Sequence, residues 1–315
     1  MNIGKIILLL LNSLFLFGCQ NNADKINYLP SKDAGLSGEN IEFQLPSGDK
    51  IAGTLTYPKD SVQNLPAILL MTGSSAHDRD NSRPEKPLGS YRPFRQIAEK
   101  LSSNGIAVLR LDDRGVGQSS GGNINHLTTP ERADDIRAGI QYLKKRKEID
   151  SLKIGLLGLS EGASIAHMIA SKDESIKFLV LLSAIGSPGK DIIEYQIENG
   201  LFYGNDLPEL LKQDRNLEFL YRFDPLKTAR LIHSPVLIVH GKTDRRVPYT
   251  DAYILSNAIK DNGNRNVEVK VLTGYNHLLL KEAPDGIETK YGKISSNRVP
   301  EEILDIILEW MMKEI

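Results

Sequence analysis

Six short apolar runs, at residues 67–71, 106–111, 154–159, 178–183, 236–240 and 267–272, alternate along this chain with helix-like segments. All but the last, where Glu268 and Lys270 alternate with valines, are apolar at mostly successive rather than alternate positions, so as strands they would present greasy side chains to both faces. A mostly parallel sheet covered by helices on both sides hides such strands from water. The expected class is therefore α/β. Residues 41–45 and 51–57 flank Pro46-Ser47-Gly48-Asp49 and read as an N-terminal antiparallel hairpin. Helices are expected over 94–103, closed by Asn104-Gly105, and over 130–147, with Thr129 as N-cap and Pro130 in the first position. Two more are expected over 251–260 and 301–314.

The alternation breaks once. Between residues 183 and 236 no strand is expected, and 191–199 and 208–221 are helix-like. An insertion there sits above the carboxyl ends of the strands, where ligands bind in open α/β sheets. It reads as a small helical cap near 186–232 within one domain, 38–315.

Ahead of that domain, Lys5 precedes an apolar stretch over 6–17 that is too short for a bilayer span and suits a signal-peptide core. It ends in Leu16-Phe17-Gly18-Cys19, which resembles the lipobox of bacterial lipoproteins. The resemblance implies cleavage after residue 18, lipid on Cys19 and an exported chain anchored to a cell-envelope membrane. Residues 20–37 are polar and read as a tether, so a lipid-anchored linker is expected over 19–37. Cys19 is the sole cysteine, so no intramolecular disulfide is available. With a net charge of −1, the basic run Lys144-Lys145-Arg146-Lys147 reads as a solvated helix end, and no nucleic-acid partner is expected. No metal-binding spacing is present and no cofactor is expected.

The run at 154–159 feeds Gly158-Leu159-Ser160-Glu161-Gly162 and then the helical pattern of 163–170. Strand, Gly-x-Ser-x-Gly and helix in that order is the layout of a nucleophile elbow, with a serine exposed on a strained turn. Gly117-Gln118-Ser119-Ser120-Gly121 has the same spacing but lies in a loop, away from a following helix. A serine hydroxyl needs an imidazole to take its proton. His277, in the loop after the run at 267–272, is the favoured base, with His240 its rival. His167 and His233 are placed less well. A carboxylate must orient the imidazole. Asp244, in the loop after 236–240, is favoured over Asp224, whose Asp-Pro context suits helix initiation. Backbone N–H groups of Glu161 and Ser74 are the expected oxyanion donors.

These motifs resemble the α/β-hydrolase superfamily over nearly the whole mature chain, and within it the bacterial serine carboxylesterases. Gly73-Ser74-Ser75-Ala76-His77-Asp78-Arg79-Asp80 resembles their oxyanion loop, with Thr72 where a His is usual and Ser75-Ala76 in place of Gly-Pro. Asp112-Asp113-Arg114-Gly115-Val116-Gly117-Gln118-Ser119 loosely matches a family turn, in which Asp113 and Arg114 are expected to form a local ion pair. The resemblance implies a small-molecule acyl ester substrate and the triad Ser160, Asp244 and His277. A prolyl-oligopeptidase-like peptidase and an inactive, lipid-anchored binding protein are the alternatives.

Overall fold

The computed structural model describes residues 26–31, 34–60, 63–83, 88–89, 91–121, 127–201 and 206–315. The signal segment and Cys19 lie outside the described residues. Eight strands form one sheet in the order β1-β2-β4-β3-β5-β6-β7-β8. They are β1 (Leu36–Gln44), β2 (Lys50–Pro58), β3 (Leu65–Met71), β4 (Ala107–Leu111), β5 (Ile149–Leu159), β6 (Ile176–Leu182), β7 (Val236–Gly241) and β8 (Val267–Leu272). β1 and β2 pair as the antiparallel hairpin, β2 joins β4 antiparallel, and every later pairing is parallel.

The continuous apolar runs are buried on both sides. Ile68, Val108, Leu157, Val180 and Leu237 face α1 (Pro93–Ser102) and α9 (Glu301–Glu314). Their neighbours Leu69, Leu109, Leu156, Leu179 and Ile238 face α2 (Thr129–Lys144), α3 (Glu161–Ala170) and α8 (Asp251–Asp261). Alternate residues of one strand thus serve two separate cores, as the period-two geometry of a strand requires.

Among the described residues, four short helices stand between β6 and β7: α4 (Gly189–Glu198), α5 (Leu207–Gln213), α6 (Arg215–Arg222) and α7 (Pro225–Ala229). Asp214 caps α6 and Asp224 caps α7 through their carboxylates. After β8 comes a small two-stranded sheet, β9 (Glu282–Thr289) with β10 (Gly292–Ile294), which the sequence pattern did not suggest. No helix among the described residues is long and apolar enough to cross a membrane.

Three expectations are corrected. The N-cap of α2 is Thr128, which forms a capping box with Glu131, and Thr129 is the first helical residue. Its hydroxyl turns instead to Glu161 at 2.8 Å and to Asn216 at 3.0 Å. Asp113 and Arg114 do not pair with each other: Arg114 holds Asp135, and Asp113 faces Arg132. The described part of the expected linker is not a free tether. Tyr28 is 2% exposed and stacks 4.4 Å from the Arg79 guanidinium, its carbonyl accepts a hydrogen bond from Arg110, and β1 already begins at Leu36.

Candidate active site

β5 ends at Leu159, and Ser160 takes φ 57°, ψ −118° before α3 starts at Glu161. A β-carbon-bearing residue in that region is strained, and the surrounding close packing holds it there. A Cβ on Gly158 would lie 2.1 Å from the Gly162 carbonyl oxygen, and one on Gly162 would lie 2.3 Å from that of Met71. Both glycines are therefore dictated by backbone-to-backbone contact at the elbow. Ser160 N–H donates to the Leu182 carbonyl at 2.8 Å, tying the turn to β6.

Asp244 and His277 reach the same edge of the sheet from the loops after β7 and β8. Asp244 Oδ2 lies 2.7 Å from His277 Nδ1, while Oδ1 accepts from the N–H groups of Arg246 at 2.7 Å and Val247 at 3.0 Å. Burial alone would push this carboxyl up. The facing His277, with hydrogen bonds from His240 and His277, outweighs burial and holds it well below the usual carboxylate range. The His277 loop is fixed by Ser183 Oγ, which donates to the His277 carbonyl, by Tyr91 OH on the Leu278 carbonyl, and by Asn276 Oδ1 on two backbone N–H groups. Thr243 ties the acid loop to the Tyr275 carbonyl, and Tyr195 of α4 donates to the Asp244 carbonyl at 2.8 Å.

Ser160 and His277 both line a cavity of about 530 Å³. Asp244 stands behind the imidazole, off the lining. The His277 ring bonds Asp244, and no hydrogen bond joins it to Ser160 Oγ. The rival residues have other partners. His240 is fully buried, with Nε2 3.2 Å from both Asp244 Oδ2 and the Val247 carbonyl, and it does not reach the cavity. Ser119 Oγ is buried between Ala52 N–H and the Asp112 carbonyl. His167 bonds Thr228 Oγ1 under the helices, where burial lowers its pKa to about 3, and His233 is exposed.

Ser74 lies on the cavity, in the loop after β3. A Cβ on Gly73 would be 3.4 Å from Ser160 Cβ, so this loop runs directly beside the elbow. Glu161 is the first residue of α3, and its carboxylate is buried. Burial works against that charge, but Arg132 at 3.1 Å and hydrogen bonds from Thr129 and Asn216 keep its pKa low.

Two residues that sequence reasoning missed hold the loop. Arg132 Nη2 donates to Thr72 Oγ1 at 2.9 Å and to the Gly73 carbonyl at 3.0 Å. His77 Nε2 meets the Ser74 carbonyl at 2.9 Å, as a neutral ring with its proton on that nitrogen would, and burial and then Arg83 push its pKa well down. The Asp-Arg-Asp stretch below anchors the loop to the sheet. Fully buried Arg79 pairs with Asp112 at 2.6 Å and bonds Gly53 O and Thr54 Oγ1, and Arg110 pairs with Asp80. Among the described residues no group of His, Cys, Asp and Glu side chains is placed to hold a metal.

Residues 93–292 match the model of the prolyl oligopeptidase family. Esterase EstD of Thermotoga maritima is 26% identical over 285 residues, covering 84% of this chain and 66% of its own length. The acylamino-acid-releasing enzyme of Mus musculus is 29% identical over 280 residues, 79% of this chain but 36% of that enzyme. This chain thus spans about two thirds of the first relative and about a third of the second. Among solved structures, Est1E of Butyrivibrio proteoclasticus with ferulic acid bound superposes with a TM-score of 0.63 at 21% identity, over 87% of this chain and 98% of that one. A Pyrococcus furiosus esterase gives 0.63 at 20% identity, over 92% and 95%. These structures carry the α/β-hydrolase fold, and the mostly parallel sheet described above is that fold.

Proposed function

The chain belongs to the prolyl oligopeptidase family, and on that premise we propose that it is a serine hydrolase that cleaves acyl esters. The observation that carries this reading is the 2.7 Å contact between Asp244 and a His277 that shares one cavity with Ser160 on its strained elbow. In this scheme His277 takes the Ser160 proton as Oγ attacks the ester carbonyl. Asp244 keeps the imidazole proton on Nδ1 and stabilises the imidazolium. The N–H groups of Ser74 and Glu161 receive the oxyanion. His277 then gives its proton to the departing alcohol, leaving an acyl-serine. A water, deprotonated by the same imidazole, releases the carboxylic acid and restores Ser160.

The test is hydrolysis of a p-nitrophenyl acyl ester series by residues 20–315, beside Ser160→Ala, with fluorophosphonate labelling of both. Turnover and labelling in the parent, both lost in the variant, support the reading. An unlabelled, folded parent overturns it. A second reading, a peptidase or amidase, is favoured by the family itself and by the likeness to acylamino-acid-releasing enzymes. Efficient turnover of an amide with none of its matched ester decides for that one.

Export and lipid attachment at Cys19 belong to the same proposal, supported by the pattern Leu16-Phe17-Gly18-Cys19. Palmitate labelling of the full-length chain in a bacterial host, lost in Cys19→Ala, is its test. Labelling that persists in the variant would refute lipidation at Cys19.

A further inference from the structure

The cavity around Ser160 has two chemically different walls. Ile185, Ile192, Ile193, Leu217, Leu220 and Phe223 supply an apolar one, largely from the helices between β6 and β7. Asp214, an acid on the lining, is engaged there as the cap of α6. The other wall draws on three distant segments: Arg83 beyond the Ser74 loop, Arg246 on the Asp244 loop, and Lys290-Tyr291 around the β9–β10 turn. The Tyr291 ring lies nearly parallel to His277, with centroids 6.5 Å apart. Arg246 Cζ and Lys290 Nζ each stand 5.3 Å from the centre of Tyr291. Arg83 Nη1 reaches His77 Nδ1 at 3.2 Å, and the Arg83 N–H donates to the carbonyl of Tyr91, whose hydroxyl holds the His277 loop at Leu278. The three cations therefore gather on the His277 side.

Their partners are as telling as their position. Arg132, deeper in the cavity, is neutralised by Asp113 and Glu161. Among the described residues, neither Arg83 nor Arg246 meets a carboxylate at ion-pair distance, and Nε of each is buried without a hydrogen-bond partner. A half-buried guanidinium with unused donors favours a planar anion, which it can hold by two parallel hydrogen bonds. Asp244, on the same loop as Arg246, is committed to His277, His240 and two backbone N–H groups.

The direction of the reaction assigns that anion to one half of the substrate. His277 must deliver its proton to the leaving oxygen, so the departing alcohol lies on the His277 side and the acyl chain on the other. We infer that the enzyme prefers esters whose alcohol part carries a carboxylate, which Arg83 and Arg246 receive while the acyl part packs against the apolar helices. This rests on the serine-esterase reading above.

A matched pair of probes tests it: 4-butanoyloxybenzoate and its methyl ester share the acyl group and differ by one charge on the leaving group. The parent is expected to favour the carboxylate in kcat/KM by about tenfold or more, the discrimination typical of a charged hydrogen bond. Added salt should raise KM for the carboxylate alone. In the double variant Arg83→Gln, Arg246→Gln the preference should fall to about unity, with fluorophosphonate labelling of Ser160 retained as the sign of an intact elbow. A labelled parent that cleaves the methyl ester as fast as the carboxylate overturns the inference and leaves the hydrolase reading standing. A preference that survives the double substitution overturns the roles of the two arginines. A parent that is not labelled at Ser160 overturns both readings.

Discussion

Replacing Asp244 by Asn changes one atom, and the hydrogen bonds around it dictate the consequence. Oδ1 accepts from two backbone N–H groups, Arg246 at 2.7 Å and Val247 at 3.0 Å, so the carbonyl oxygen of the new side-chain amide must remain there. The amide NH₂ then takes the place of Oδ2, facing His277 Nδ1 at 2.7 Å and His240 Nε2 at 3.2 Å. An NH₂ can only donate, so His277 must carry its proton on Nε2, the nitrogen that should accept from Ser160. The imidazolium also loses its counter-charge. For such a tautomer reversal a loss of about 10⁴ in kcat is expected, roughly 5.5 kcal/mol of transition-state stabilisation. The assay is kcat and KM on a p-nitrophenyl ester, with a thermal melt to separate lost chemistry from lost fold. A folded Asp244→Asn enzyme that retains more than a tenth of the parent kcat would refute the role assigned to Asp244.

Three further outcomes follow from the packing. Gly162→Ala places a methyl group 2.3 Å from the Met71 carbonyl and 2.6 Å from that of Thr72, and backbone cannot yield cheaply. It should cost about 1–3 kcal/mol in a denaturant titration and lower kcat by displacing the Ser74 loop. Arg79→Met strips a fully buried Asp112 of its partner, so a loss of about 3–5 kcal/mol is expected, and an unchanged unfolding midpoint would argue against the ion pair as the anchor of that loop. His167 has its pKa lowered to about 3 by burial, so between that value and its ordinary 6.5 the unfolded chain binds the extra proton. Stability must therefore fall as pH drops through this window, by about 2 kcal/mol between pH 7 and 5 from this residue. Denaturant titrations at both pH values should show that difference shrink in His167→Leu.

Where the sequence could be read, local physics explained the reading. The runs at 154–159 and 178–183 announced two-faced strands because both faces of the sheet are covered, and the elbow showed itself through glycines that no larger residue can replace. Where it misled, distance was the cause. Thr129 looked like a cap because it precedes Pro130, yet its hydroxyl is drawn to Glu161 and Asn216, far away in the chain. β9 carries Pro284, Asp285 and Gly286 and lacks the alternation that marks a half-buried strand, so it escaped notice. Tyr28 looked like part of a polar tether because its neighbours are polar, while its ring is held by a guanidinium that arrives from residue 79.

By itself the sequence determined the strand and helix alternation, the elbow at Ser160, and the loops that carry Asp244 and His277, because periodicity and turn sterics act between near neighbours. Only the tertiary structure decided that Asp244 faces His277 across the cavity wall while His240 stays beneath, that Arg132 and His77 brace the Ser74 loop, and that Arg83, Arg246 and Lys290 meet on one side. Those contacts join residues dozens to hundreds of positions apart. The packing of whole strands and helices brings them together, and no local pattern in the chain records it.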